Sequence, residues 1–96
     1  MTETTILFNL NPPHRKYYIV ELHQQGIYYT VTGIWGRVNA KGRTLIKYQG
    51  PERWVAKRVA EQEIQTRYDH GYTLHETNNN RAQASVSLVE ALLSAL

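Results

Sequence analysis

Alternation of apolar and polar residues dominates the first half of the chain and predicts β-strands. In residues 16–24, one face carries Tyr18, Val20 and Leu22, and the other carries Tyr17, Ile19, Glu21 and His23. Gln25-Gly26 is a tight-turn signal, so this strand and the β-branched, aromatic run after it should form an antiparallel hairpin. Within residues 43–48, the same alternation places Ile46 and Tyr48 on one face. Strands are predicted over residues 4–8, 16–24, 27–38, 43–48 and 72–76, the last of them at a sheet edge.

Helical spacing replaces the alternation after Gly50 and predicts a helix over residues 51–69, with Pro51 in its first turn. Its apolar stripe is Ala56, Val59, Ala60 and Ile64. Gly71 is the expected C-cap. Trp54 falls on the polar side, one turn before Arg58, where a cation–π contact is within reach.

The end of the chain carries a second helical pattern after the polar linker at residues 78–80. Its apolar positions are Ala82, Val86, Val89, Leu92, Leu93 and Leu96. Such a face has to be covered, either by the sheet of its own chain or by a second copy. A homo-oligomer would form through Val86, Val89, Leu92, Leu93 and Leu96.

The predicted fold class is α+β: a small twisted antiparallel sheet of four or five strands with one long helix packed on a face, plus a C-terminal amphipathic helix. Residues 1–76 form the domain, and residues 77–96 form the linker and helical tail. Ninety-six residues suffice for one core and leave little room for a deep catalytic cleft.

Charge is distributed unevenly and favours an anionic partner for the first half of the chain. Residues 14–58 contain nine basic side chains against two acidic ones, whereas residues 59–96 contain two against five. Neither a signal peptide nor an apolar run long enough to span a bilayer is evident. We therefore expect a cytoplasmic or nucleoid-associated protein without a membrane partner.

Catalytic patterns are weak in this sequence. His14, His23, His70 and His75 show no metal-ligand spacing, and the chain has no cysteine. A phosphate-binding glycine loop, a nucleophile elbow and a paired-carboxylate pattern are all lacking. We expect a protein that is not an enzyme and needs neither cofactor nor metal.

At the end of the third predicted strand, residues 33–38, Gly-Ile-Trp-Gly-Arg-Val, replace the β-branched and aromatic run with an indole, a glycine and a guanidinium. Because residues two apart share a face, Trp35 and Arg37 should project together, with Gly36 leaving open backbone between them. An indole beside a guanidinium suits base stacking plus phosphate contact; it equally suits a core tryptophan beside a surface arginine. Gly42, in the polar loop that follows, is available for a positive φ.

This stretch resembles the WGR domain. The resemblance is carried by residues 29–38, YTVTGIWGRV, then a four-residue loop with Gly42, then Arg43-Thr44-Leu45. Residues 15–22 resemble the family's charged and aromatic opening strand, and residues 71–74, after the helix, resemble its closing turn. The similarity spans residues 4–76 and implies a small antiparallel sheet with a helix against one face.

In poly(ADP-ribose) polymerases the WGR domain senses DNA breaks, and it also occurs in bacterial proteins. The resemblance implies that Trp35 packs on the sugar and base at a strand end, near the 5′ phosphate. The family arginine, here Arg37, helps to relay DNA binding to neighbouring domains. An asparagine-containing turn also approaches DNA; Asn9 and Asn11 match it, although Pro12-Pro13 departs from the pattern. The family's NAD-dependent transferase domain is not contained in these 96 residues.

Two functions remain open from the sequence. The first is a nucleic-acid-binding module, most simply for DNA ends or nicks, in which Trp35 stacks and cations meet phosphates. Its predicted site is Asn11, Lys16, Trp35, Gly36, Arg37, Lys41 and Arg43. The alternative is a protein-interaction or self-assembly module that uses the WGR surface, Trp54 and the C-terminal helix.

Overall fold

The computed structural model describes residues 2–78, and these form one antiparallel five-stranded sheet with one helix. The elements are β1 Thr2–Asn9, β2 Lys16–Gln25, β3 Tyr28–Arg37, β4 Arg43–Gly50, α1 Arg53–Asp69 and β5 Thr73–Asn78. The strand order is β4-β3-β2-β1-β5. This confirms the α+β prediction; the predicted C-terminal helix lies outside the described residues. No helix in the described part of the chain is long and apolar enough to cross a membrane.

The helix packs on one face of the sheet, which we call the helix face. Two alanines, Ala56 and Ala60, are buried there and let α1 approach the strands closely. They meet Tyr18, Val20, Leu22 and Val31, with Val59, Ile64, Trp35, Tyr48 and Tyr72 packed around them. The predicted apolar stripe of the helix is therefore confirmed.

The opposite face, which we call the second face, carries a separate core. It consists of Ile6, Phe8, Tyr17 and Ile19, with Ile34 and Val38 packed against it. Since β1 and β2 are buried on both faces, residues 6–8 and 17–20 are continuous buried runs rather than alternating ones. The central strands thus carry most of the apolar burial that holds the sheet together.

The predicted alternation of the fourth strand is wrong beyond Ile46. Val31 pairs with Tyr48 while its neighbour Thr32 pairs with Ile46, so Lys47 is the extra residue of a β-bulge. The bulge turns Tyr48 onto the helix face, where it joins the core. Ile46 stays on the second face and is 56% exposed.

The ends of α1 differ from prediction at the start and agree at the finish. Glu52 is the N-cap residue and Pro51 precedes it, so the proline lies outside the helix. The Glu52 carboxylate accepts a hydrogen bond from Trp54 Nε1 at 2.6 Å, and among the described residues the ring of Trp54 has no cation–π contact with Arg58. The helix ends at Asp69 as predicted, but its C-cap residue is His70; Gly71, with φ 89°, is the left-handed residue that follows the cap.

A candidate nucleic-acid interface

Two loops lie side by side at one end of the sheet. The Val38 N–H donates to the Arg15 carbonyl at 2.8 Å and joins the β1–β2 loop to the end of β3. The pairing register places Lys16 opposite Arg37 and Trp35 opposite Arg43. We call this region the basic end; its cations are Arg15, Lys16, Arg37, Lys41 and Arg43.

The loops and strand ends that form the basic end carry no acidic side chain of their own. Residues 9–20 and 33–51, which form the loops and the adjoining strand ends, contain no aspartate or glutamate. Lys16 and Arg37 are like charges directly opposite each other on neighbouring strands, an arrangement that costs roughly 0.2–1 kcal/mol. A bound anion would relieve this repulsion.

Trp35 lies between the basic end and the core. Its ring is half-buried and stacks on Tyr18, with 5.8 Å between ring centroids and 13° between ring planes. Lys47 Nζ is 5.5 Å from the centroid of the indole. The indole is therefore held in one orientation by the core while part of its surface remains accessible beside cations.

Tyr18 holds Trp35 through a network that sequence reasoning did not identify as part of the site. Its hydroxyl donates to Glu63 Oε1 at 2.5 Å, and Glu63 also lies 3.6 Å from Lys47 Nζ. The Arg67 guanidinium lies 4.2 Å from the centroid of the Tyr18 ring. In the sequence pattern, Tyr18 is one more core position on the same face as Val20. The polar partners of Tyr18 lie on α1, about 45 residues further along the chain, so a local pattern does not reveal them.

Burial raises the pKa of Tyr18 well above its usual range, and both the hydrogen bond to Glu63 and the negative charge of Glu63 raise it further. The nearby Arg67 opposes this shift. Burial also raises the pKa of Tyr17 and of Tyr72. All three phenols are therefore held neutral in the folded chain at pH values where a free tyrosine ionises.

Above about pH 10 the free energy of unfolding is expected to fall as the pH rises. Both states keep the phenols protonated below that pH; above it the unfolded chain ionises first, and ionisation stabilises it. Tyr18 alone contributes a loss of up to about 1.4 kcal/mol per pH unit until its folded pKa is reached. Urea unfolding across this range measures the slope. Tyr18→Phe should flatten it, and an unchanged slope in that variant would contradict the assignment.

The glycines of the motif act by making room, which corrects two predictions. A Cβ on Gly36 would lie 3.0 Å from the Gly42 Cα, so Gly36 faces the folded-back loop rather than leaving open backbone. A Cβ on Gly42 would lie 2.8 Å from the Trp35 carbonyl oxygen. The left-handed residue of the loop is Asn39, with φ 67°, and not Gly42.

The two asparagines of the β1–β2 region differ in their surroundings. Asn9 is buried, and its side chain donates to the His70 carbonyl at 3.4 Å, so it ties β1 to the end of α1. Asn11 is exposed in the loop, and its N–H donates to the Asn9 side chain at 3.3 Å. Of the two, Asn11 has the accessible side chain at the basic end.

Within residues 2–78, no group of three or more His, Cys, Asp or Glu side chains is placed to hold a metal ion. The fold and this end of the sheet define a small basic α+β domain with an aromatic ring among cations. No family model matches the chain, and no curated protein or solved structure compared with it matches.

Proposed function

We propose that this chain is a non-enzymatic WGR-type module that binds nucleic acid, most simply DNA at ends or nicks, through the basic end. One observation carries the proposal: five cations and the half-buried Trp35 are gathered at one end of the sheet, on segments without acidic residues. Phosphate charge supplies most of the affinity in such complexes.

Each group has a distinct task in this proposal. Lys16 and Arg37, paired across β2 and β3, meet phosphates from the sheet, while Lys41 and Arg43 meet them from the β3–β4 loop and the start of β4. Trp35 offers a terminal sugar or base its accessible surface, held rigid by Tyr18. Base stacking on an aromatic side chain is worth roughly 1–3 kcal/mol. Asn11 adds hydrogen bonds from the neighbouring loop.

The WGR resemblance supports the preference for strand ends, since it assigns end contact to the residue at position 35. The described architecture, a small antiparallel sheet with a helix on one face, is the architecture that the resemblance implies. We also propose that residues 82–96 form the amphipathic helix predicted from their periodicity.

Fluorescence anisotropy with a 5′-phosphorylated blunt duplex and a closed circle, at about 50 mM salt, tests the proposal. We expect the duplex to bind more tightly than the circle, with log affinity falling by about 0.9 per neutralised phosphate against log salt concentration. Arg37→Gln should weaken binding and lower that slope by about 1. In a Trp54→Phe background, the duplex should quench the fluorescence of Trp35.

Arg53→Gln is the matched control. Arg53 is an exposed arginine at the start of α1, beside Gln24 and Tyr29 at the opposite end of the sheet. It should leave the affinity and the salt slope unchanged. Absence of binding to both DNAs, or equal losses in the two arginine variants, would refute the proposal; equal binding of duplex and circle would remove the end preference.

A further inference from the structure

The second face of the sheet is more deeply buried than its described neighbours explain. Ile6, Phe8, Tyr17 and Ile19 are between 1% and 4% exposed. Thr2 and Thr4, which share this face at the start of β1, are 3% and 2% exposed. Because α1 packs on the other face, it cannot be the element that buries them.

The described residues explain the burial of Tyr17 and Phe8 only in part. Val38 packs against the cluster, and Gly42 of the same loop lies beside Tyr17. His75 meets the Phe8 ring edge to face, with 4.9 Å between centroids. Within residues 2–78, no helix or strand lies over Ile6 and Ile19, since the five strands form a single sheet and α1 lies on its other face.

We infer that the eighteen residues after Asn78 cover this second face in the same chain, with the apolar stripe of residues 82–96 packed on β1 and β2. The attachment point is favourable: Asn78 ends β5 and pairs with Thr4, one of the deeply buried residues. A linker of about three residues keeps the stripe at high effective concentration next to this face. Intramolecular docking is thereby favoured over pairing with a second copy.

The length and the side-chain composition of residues 82–96 agree with their packing on the second face. Fifteen residues of helix span about 22 Å, and the six steps of β1 from Thr2 to Phe8 span about 20 Å. The face offers aliphatic and aromatic side chains, and the stripe offers leucine, valine and alanine. Covering the sheet on both sides gives a three-layer arrangement. The inference does not depend on the proposed function.

Two full-length variants test the docking. Leu93→Glu places a charge on the apolar stripe, whereas Ser94→Glu adds the same charge to the polar side of the same helical turn. We expect Leu93→Glu to lower Tm by about 8 °C or more, because a buried leucine is lost. Ser94→Glu should stay within about 3 °C of the parent. Equal Tm values for the two variants would overturn the inference.

The unmodified chain supplies the second measurement, which does not depend on a variant folding. Methyl NOEs from Leu92, Leu93 and Leu96 to Ile6 and Ile19 should appear, and light scattering should report a monomer. In a mixture of isotope-labelled and unlabelled chains, these NOEs should be confined to single chains. Intermolecular NOEs, or none from these leucines to the two isoleucines, would overturn it.

Discussion

Tyr18→Ala is expected to lower the free energy of unfolding by about 3–5 kcal/mol, the largest effect of any single substitution considered. Tyr18 is 2% exposed, and truncation leaves a cavity between Trp35 and α1. It also removes the hydroxyl that donates to Glu63 and the ring that the Arg67 guanidinium contacts. Urea denaturation followed by circular dichroism measures the loss.

Tyr18→Phe separates the ring from the hydroxyl. It keeps the stacking on Trp35 and removes one hydrogen bond to a charged group, so the expected loss is about 1.5–3 kcal/mol. In a Trp54→Phe background, the emission of Trp35 should shift to the red in Tyr18→Ala and much less in Tyr18→Phe. A Trp35 emission spectrum that is unchanged in Tyr18→Ala would show that Tyr18 does not hold the indole.

Gly42→Val is expected to destabilise the chain by about 1–3 kcal/mol and to displace the β3–β4 loop from β3. The added Cβ would lie 2.8 Å from the Trp35 carbonyl oxygen, which cannot move without disturbing β3, and still closer to the Tyr17 hydroxyl. Since Lys41 and Arg43 flank this glycine, duplex affinity should fall together with stability.

Introduction of the same residue, valine, two positions earlier is the control. Ala40 is exposed in the same loop, so Ala40→Val should alter the free energy of unfolding by less than about 0.5 kcal/mol. The variants differ in the space around the new side chain. If both lost the same stability, general disturbance of the loop would replace close packing at Gly42 as the cause.

Local patterns predicted much of the fold because they act over a few residues. The faces of β2 and the apolar stripe of α1 follow from periods of 2 and 3.6, and both are confirmed. The hairpin was also predictable, but its turn is centred on Gly26-Ile27, one residue later than Gln25-Gly26. A shift of one residue in the turn moves each strand partner by two, so Lys16 faces Arg37 and not Trp35.

The face of Tyr48, the role of Gly42 and the gathering of the cations at one end of the sheet depend on tertiary packing, and the local sequence pattern does not predict them. The bulge at Lys47 reverses the face of Tyr48, and no local signal distinguishes it from regular alternation. Gly42 resembled a turn glycine, yet its role depends on the carbonyl of Trp35 across the loop. The unequal charge distribution along the chain indicates a cationic surface, and therefore an anionic partner. That its cations share one end of the sheet depends on the strand register.

The pairing of Thr4 with Asn78 places the two ends of the described chain at one corner of the sheet. This corner adjoins His23, near the β2–β3 turn, and lies at the end of the strands opposite Lys16 and Arg37. A domain fused before Thr2 would therefore be attached at the end of the sheet opposite the basic end. The architecture therefore suits a modular domain that is joined to another protein through its N-terminal side, at the end of the sheet away from Lys16 and Arg37.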